Sequence, residues 1–281
     1  VLPPEQRSFT ERALRRERWI VIAALTAMTA LAWAYVLAGA GTGMSVWDMT
    51  AATLFPHRSA GASMAAVAAM SLGTWAPGYW VVMVLMWWIM MIAMMIPSAA
   101  PMILLYAVAS RDAQAGGRLA AGGVPTAAFA GGYLLMWLAF AALATVLTWA
   151  LDRTPVFNAM TMSSSSAVLS AAVLVSAGIY QFTPLKHLCL QRCRNPAEFL
   201  SRRWSPGPAG ALRMGLEHGL FCVGCCWVLM ALLFVGGIMN VLWIGLLSLF
   251  VIVEKLVPHG TRIGWIAGVV FGVWGAATLA F

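Results

Sequence analysis

Apolar residues run along this chain in long, nearly uninterrupted stretches, separated by short segments rich in Pro, Gly, Arg or Asp. The first runs from Trp19 to about Ala40, and six more cover 79–107, 126–151, 166–184, 213–235, 238–254 and 263–281. An α-helix needs roughly 20 apolar residues to cross the hydrocarbon core of a bilayer, and most of these stretches approach that length. They lack the alternation of barrel strands. The pattern therefore predicts an all-α, polytopic transmembrane helical bundle of about seven spans. The count falls to six if the fifth and sixth do not both cross fully. Only Gly236-Gly237 and Asn240 separate these two, so one is expected to be short or re-entrant.

Residues 1–18 read as a cytoplasmic basic arm and 19–281 as a single transmembrane helical domain. Ala38-Gly39-Ala40 resembles a signal-peptide cleavage site. The apolar run before it is longer than the roughly 7–15 residues of a signal-peptide core, which favours a retained anchor.

Composition sharpens the class. The chain of 281 residues is 62% hydrophobic and 9% charged, against roughly 25% charged residues in soluble domains. The net charge of +8 raises the question of a nucleic-acid partner. The basic residues, however, sit mostly in short segments beside apolar spans, so the positive-inside rule accounts for them and the partner is the lipid bilayer. With the N-terminus cytoplasmic, the inner segments carry Arg7, Arg12, Arg15, Arg16 and Arg18, then Arg111 and Arg118. They continue with Lys186, Arg192, Arg194, Arg202, Arg203 and Arg213, then Lys255 and Arg262, which leaves only Arg58 and Arg153 outside. The outer connection of about 41–78 is the longest, and Ala62–Met70 within it reads as a surface helix. Ser163–Ser166 reads as turn and capping material. Gly260, Gly264, Gly268 and Gly272 form a small-xxx-small stripe for helix packing.

Soft ligands collect on the inner side. All five cysteines, Cys189, Cys193, Cys222, Cys225 and Cys226, fall in the fourth inner segment or the inner half of the next helix. An oxidising compartment is where structural disulfides form, so these read as thiols for metal or redox work, or as core. His218, Cys222 and Cys225 stand at i, i+4 and i+7 and share one helix face. At about 1.5 Å per residue from Arg213, Cys222 lies about 13 Å and Cys226 about 20 Å along the helix, within the membrane. An imidazole and two sulfurs on one face suit a soft transition metal, copper(I) in particular, while a fourth thiolate would suit zinc. Cys189 and Cys193 are i, i+4 neighbours if their segment is helical, and Lys186, Arg192 and Arg194 stand beside them.

The second apolar stretch holds Met83, Met86, Met90, Met91, Met94, Met95 and Met102. Met83, Met86, Met90 and Met94 form one helical stripe and Met91, Met95 and Met102 a second beside it. Thioethers are uncharged soft ligands, though a methionine stripe also serves as ordinary packing. Pro97 and Pro101 remove two backbone donors near the inner end, where a kink is expected. Met83, Met90 and Met94 could then lead toward the thiols as a ladder.

These strings together resemble a bacterial family of predicted metal-binding integral membrane proteins, one of the domains of unknown function. The matching residues are Met90-Met91-Ile92-Ala93-Met94-Met95-Ile96-Pro97-Ser98-Ala99-Ala100-Pro101-Met102, Gly132-Tyr133-Leu134 and Tyr180-Gln181-Phe182-Thr183-Pro184-Leu185-Lys186. They continue with Cys189, Cys193, His218, Cys222-Val223-Gly224-Cys225-Cys226-Trp227 and Met239-Asn240, over about 79–255. The resemblance implies a helical protein of the inner membrane with a metal site.

The leading expectation is an integral membrane soft-metal-binding protein, a copper(I) transporter or membrane metal chaperone that works with a partner membrane protein or metallochaperone. The sequence shows no P-loop, so transport would be passive, ion-coupled or driven by delivery. One alternative is a membrane thiol-disulfide oxidoreductase pairing Cys222/Cys225 with Cys189/Cys193. Another is a structural or assembly subunit of a larger membrane complex. The charge map predicts that a reporter fused after Arg203 stays cytoplasmic and one near Arg58 is translocated, and finding both on one side would break it.

Overall fold

The computed structural model describes residues 4–41, 45–54, 75–115, 124–158 and 162–280. The surface helix expected at Ala62–Met70, and Arg58 and Arg118 of the charge map, lie outside the described residues. Helices dominate: α1 (Pro4–Leu37), α2 (Val46–Leu54), α3 (Pro77–Ala115), α4 (Val124–Asp152), α5 (Ala167–Tyr180) and α6 (Pro184–Arg194). They continue as α7 (Pro196–Arg203), α8 (Gly207–Ala231), α9 (Leu233–Gly236), α10 (Val241–Leu256) and α11 (Gly260–Ala280). Two short strands, β1 (Phe157–Asn158) and β2 (Ser163–Ser164), form an antiparallel pair between α4 and α5.

Five helical segments are long and apolar enough to cross a membrane, at Arg18–Leu37, Pro77–Gln114, Pro125–Asp152, Gly207–Gly236 and Gly260–Ala280. The fourth expected span is instead a broken one. Its halves, α5 and α6, meet at 64°, and counted as one crossing they make six. Thr183 sets the break: preceding Pro184, it is extended (φ −69°, ψ 142°), and its hydroxyl accepts the Lys186 amide to start α6. The sixth expected span is α10, whose 16 residues reach only about 24 Å. A chain reversal ahead of it consumes the missing length. Gly237 adopts φ 94°, in the left-handed region, and Asn240 caps α10 by accepting the Trp243 amide at 3.2 Å.

The bundle is built from close helix pairs. α4 lies along α8, α5 along α11, α1 along α3 and α3 along α4, while α6 packs on α8 and α10 on α3. Glycine permits the tightest of these crossings. A Cβ on Gly132 would stand 2.2 Å from the Leu212 carbonyl oxygen, and one on Gly215 would stand 2.0 Å from that of Phe129. At the other crossing a Cβ on Gly178 would stand 2.7 Å from the Gly268 oxygen, so the glycine stripe of α11 is a packing surface. Ser166 caps α5 as expected, while Ser163–Ser164 form the strand β2 rather than a turn.

One end of the bundle gathers α2, the strand pair and the α9–α10 reversal, with the Thr50 hydroxyl accepting the Val241 amide and the Met162 carbonyl accepting the Ile238 amide. The opposite end gathers α6, α7 and the close of α3, where Tyr106 packs on Trp204. Gly215→Ala should lower stability by about 1–3 kcal/mol or more by forcing α4 and α8 apart. Gly131→Ala, where a Cβ meets nothing within 4 Å, should leave it unchanged, as thermal unfolding in detergent would read.

Candidate metal centre

Five helices converge on one buried cluster. Cys222, Cys225 and Cys226 come from α8, Cys193 from α6, Met95 and Ser98 from α3, Tyr133 from α4 and Lys255 from α10. Cys222 is its hub. Its sulfur accepts from Lys255 Nζ at 2.9 Å and lies 3.1 Å from the Tyr133 hydroxyl, and Cys193, Cys225 and Cys226 are its neighbours. The thiols of Cys225 and Cys226 donate to the Cys222 carbonyl at 3.1 and 2.9 Å. All five cysteines are free thiols.

Helical geometry explains the α8 contribution, since Cys222, Cys225 and Cys226 stand three and four residues apart. Small residues admit the neighbours. A Cβ on Gly224 would stand 2.7 Å from Cys189 Sγ, so α6 rests directly on α8 there, and the Gly224 carbonyl accepts the Tyr180 hydroxyl. Cys189 and Cys193 both lie on α6. Cys189 is buried against Gly224, and Cys193, half-buried, is a neighbour of Cys222 and Cys225. Two basic neighbours expected beside them are engaged elsewhere. Lys186 turns to Glu254, and Arg194 donates to the carbonyls of Val257 and Pro258 at 2.8 and 2.7 Å, clipping α6 to the α10–α11 turn.

His218 is buried, one turn before Cys222, among the rings of Phe129, Tyr133 and Phe199, with centroids 5.6–6.1 Å away. Its Nδ1 has no hydrogen-bond partner among the described residues. Glu217, the residue before it, lies between Arg213 and Arg203, at 3.3 and 3.5 Å.

The methionines of α3 are all buried. The thioether nearest the thiols belongs to Met95 of the second stripe, with Sδ 4.0 Å from Cys226 Sγ. Met83, Met90 and Met94 sit in the core, and the Met94 carbonyl accepts Ser248 Oγ at 3.4 Å. The Met95 carbonyl accepts Ser98 Oγ at 2.9 Å and Tyr133 OH at 3.4 Å. Side chains thus serve carbonyls in the turn before Pro97, where the backbone ladder is interrupted.

Among the described residues no three or more His, Cys, Asp and Glu side chains are placed to hold a metal ion as a group. The donor chemistry still fits a soft ion of low coordination number, because thiols pair around Cys222 with a thioether alongside and an unpartnered imidazole lies one turn away.

A family model described as copper chaperone, PpoB2, matches residues 84–278. The chain belongs to that family. No curated protein and no solved structure matches it. The matched region contains every residue of the cluster, from Met95 to Lys255, and the match supports a copper-related role for the chain.

The sequence reading gave Lys255, Ser98 and Tyr133 no role in the site and placed Lys186 beside Cys189 and Cys193. Lys186 and Lys255 were counted as loop charges facing the cytoplasm, yet both are buried. Lys186 Nζ lies 2.7 Å from Glu254 Oε1 and also donates to Gln181 Oε1. Gly264 leaves room for this pair, since a Cβ there would stand 2.5 Å from Glu254 Oε1. Two adjacent charges, Glu254-Lys255, at the end of an apolar run were the available signal, because a snorkelling end needs only one. Lys186→Met or Glu254→Gln alone should destabilise the protein by about 3–5 kcal/mol by leaving a buried charge or polar group without its partner. Lys186→Met with Glu254→Leu should recover most of that in thermal unfolding, and a double variant as unstable as the singles would show that the two do not act as a pair.

Proposed function

We propose that the chain carries copper(I) as cargo within the bacterial inner membrane, as a membrane-embedded chaperone or transporter. The observation that supports this most directly is the gathering of Cys193, Cys222, Cys225 and Cys226 beside Met95 in the interior of a copper chaperone family member. Thiolates and thioethers prefer copper(I) to hard cations. Zinc in a structural site takes four ligands in a closed tetrahedron, whereas paired thiols around one hub suit an ion content with two. Low coordination also suits cargo, because an ion held by few bonds can exchange onto an incoming donor.

In this reading Cys222 and one neighbouring thiol hold the ion, and Cys193 on α6 offers a second pairing toward the basic end. Cys189 and His218 flank the hub and are candidate transient donors. Met83, Met90 and Met94, with Met95 at the thiols, supply an uncharged soft path along α3. The basic end faces the cytoplasm, where a partner membrane protein or metallochaperone supplies or takes the ion.

Elemental analysis of protein purified under reducing, chelator-free conditions tests the proposal. Wild type should hold copper stoichiometrically, while Cys222→Ser and Cys225→Ser should lose it and keep their helical content. Equal copper in all three would remove the site. Met95→Leu, and the triple Met83, Met90, Met94→Leu, conserve volume and should slow uptake without changing stability.

A further inference from the structure

Lys255 is a buried ammonium without a carboxylate. It sits in the last turn of α10, donates to Ser98 Oγ at 3.2 Å and to Cys222 Sγ at 2.9 Å, and no ion pair with an acidic residue is found for it among the described residues. Its neighbour Glu254 faces the other way and pairs with Lys186. A cation this deep needs a negative partner, and sulfur is the group in position to be one.

The geometry points to Lys255 as the residue that sets the charge of the ion the thiols accept, selecting a monovalent soft ion held by two thiolates over a divalent one. This inference rests on the copper reading above and deepens it. When a thiol binds a metal, the sulfur–metal bond forms and the thiol proton leaves to water. A monovalent ion with two thiolates carries a net charge of −1, and the +1 of Lys255 brings the buried unit to zero. A divalent ion with two thiolates is already neutral, which leaves the Lys255 charge uncompensated in an apolar interior. A third thiolate would restore balance for the divalent ion, but no three donors are placed as a group among the described residues. Ser98 holds the ammonium on the sulfur, since its hydroxyl donates to the Met95 carbonyl and leaves its oxygen lone pair for Lys255.

The test uses the full chain, reduced and purified in detergent, equilibrated with equimolar Ag(I) and Cd(II) as redox-inert ions of the two charges. Bound ions are counted by mass spectrometry. Lys255→Met should lower the Ag(I) to Cd(II) ratio by about ten- to a hundredfold, the range for losing a group that supports a metal ligand. Lys255→Arg, which keeps the charge, should keep the wild-type ratio. A folded Lys255→Met protein with an unchanged ratio overturns the inference while leaving the copper reading intact. If that variant does not fold, the wild type decides. X-ray absorption of one bound Ag(I) should show two sulfur ligands, and three or more sulfurs per ion overturn the two-thiolate balance. A wild type that binds neither ion overturns the copper reading itself.

Discussion

Two amino groups, those of Lys186 and Lys255, lie inside a largely apolar bundle, and the arrangement of the surrounding helices answers the cost of placing them there. Lys186 brings α6 against α10 through Glu254, with Gln181 at the break between α5 and α6 as a third partner. Lys255 brings α10 against α3 and α8 through Ser98 and Cys222. Glu254 and Lys255 are adjacent in sequence, so a single turn of α10 joins the structural ion pair to the thiol cluster. The short length of α10 is what puts that turn at the depth of the thiols.

Close helix approach is the second requirement, and glycine meets it. Gly132 and Gly215 let α4 and α8 touch backbone to backbone, which sets Tyr133 over Cys222 and His218. Gly224 lets α6 reach α8, which brings Cys193 to the cluster. Gly264 opens room for the Glu254 carboxylate. In an apolar surrounding, where hydrophobic association adds little between helices, packing of this kind and internal hydrogen bonds hold the elements together.

The cluster combines soft donors with a fixed positive charge. On the proposed reading, the Lys255 charge beside the thiols is what would discriminate among soft ions, as a copper carrier working in a low-dielectric interior requires. Membership of a copper chaperone family places this chemistry in a copper-handling context.

The chain's own pattern determined the helical class, five of the long apolar segments and the shortness of one of the two helices around Gly236-Gly237, because these depend on local hydropathy and on backbone rules at Gly. It also brought Cys222 and Cys225 onto one face of α8, because helical periodicity is local. It did not show that α5 and α6 turn through 64° or that α10 is only 16 residues long. Nor did it show that Met95 is the methionine beside the thiols, which depends on the rotation of α3 against α8. Lys186 and Lys255 looked like loop charges because a lysine at the end of an apolar run reads the same whether it reaches outward to water or inward to a partner. Only the tertiary structure decided between these, since the inward choice depends on Glu254, Ser98 and Cys222, residues brought from other turns and other helices by glycine-mediated packing.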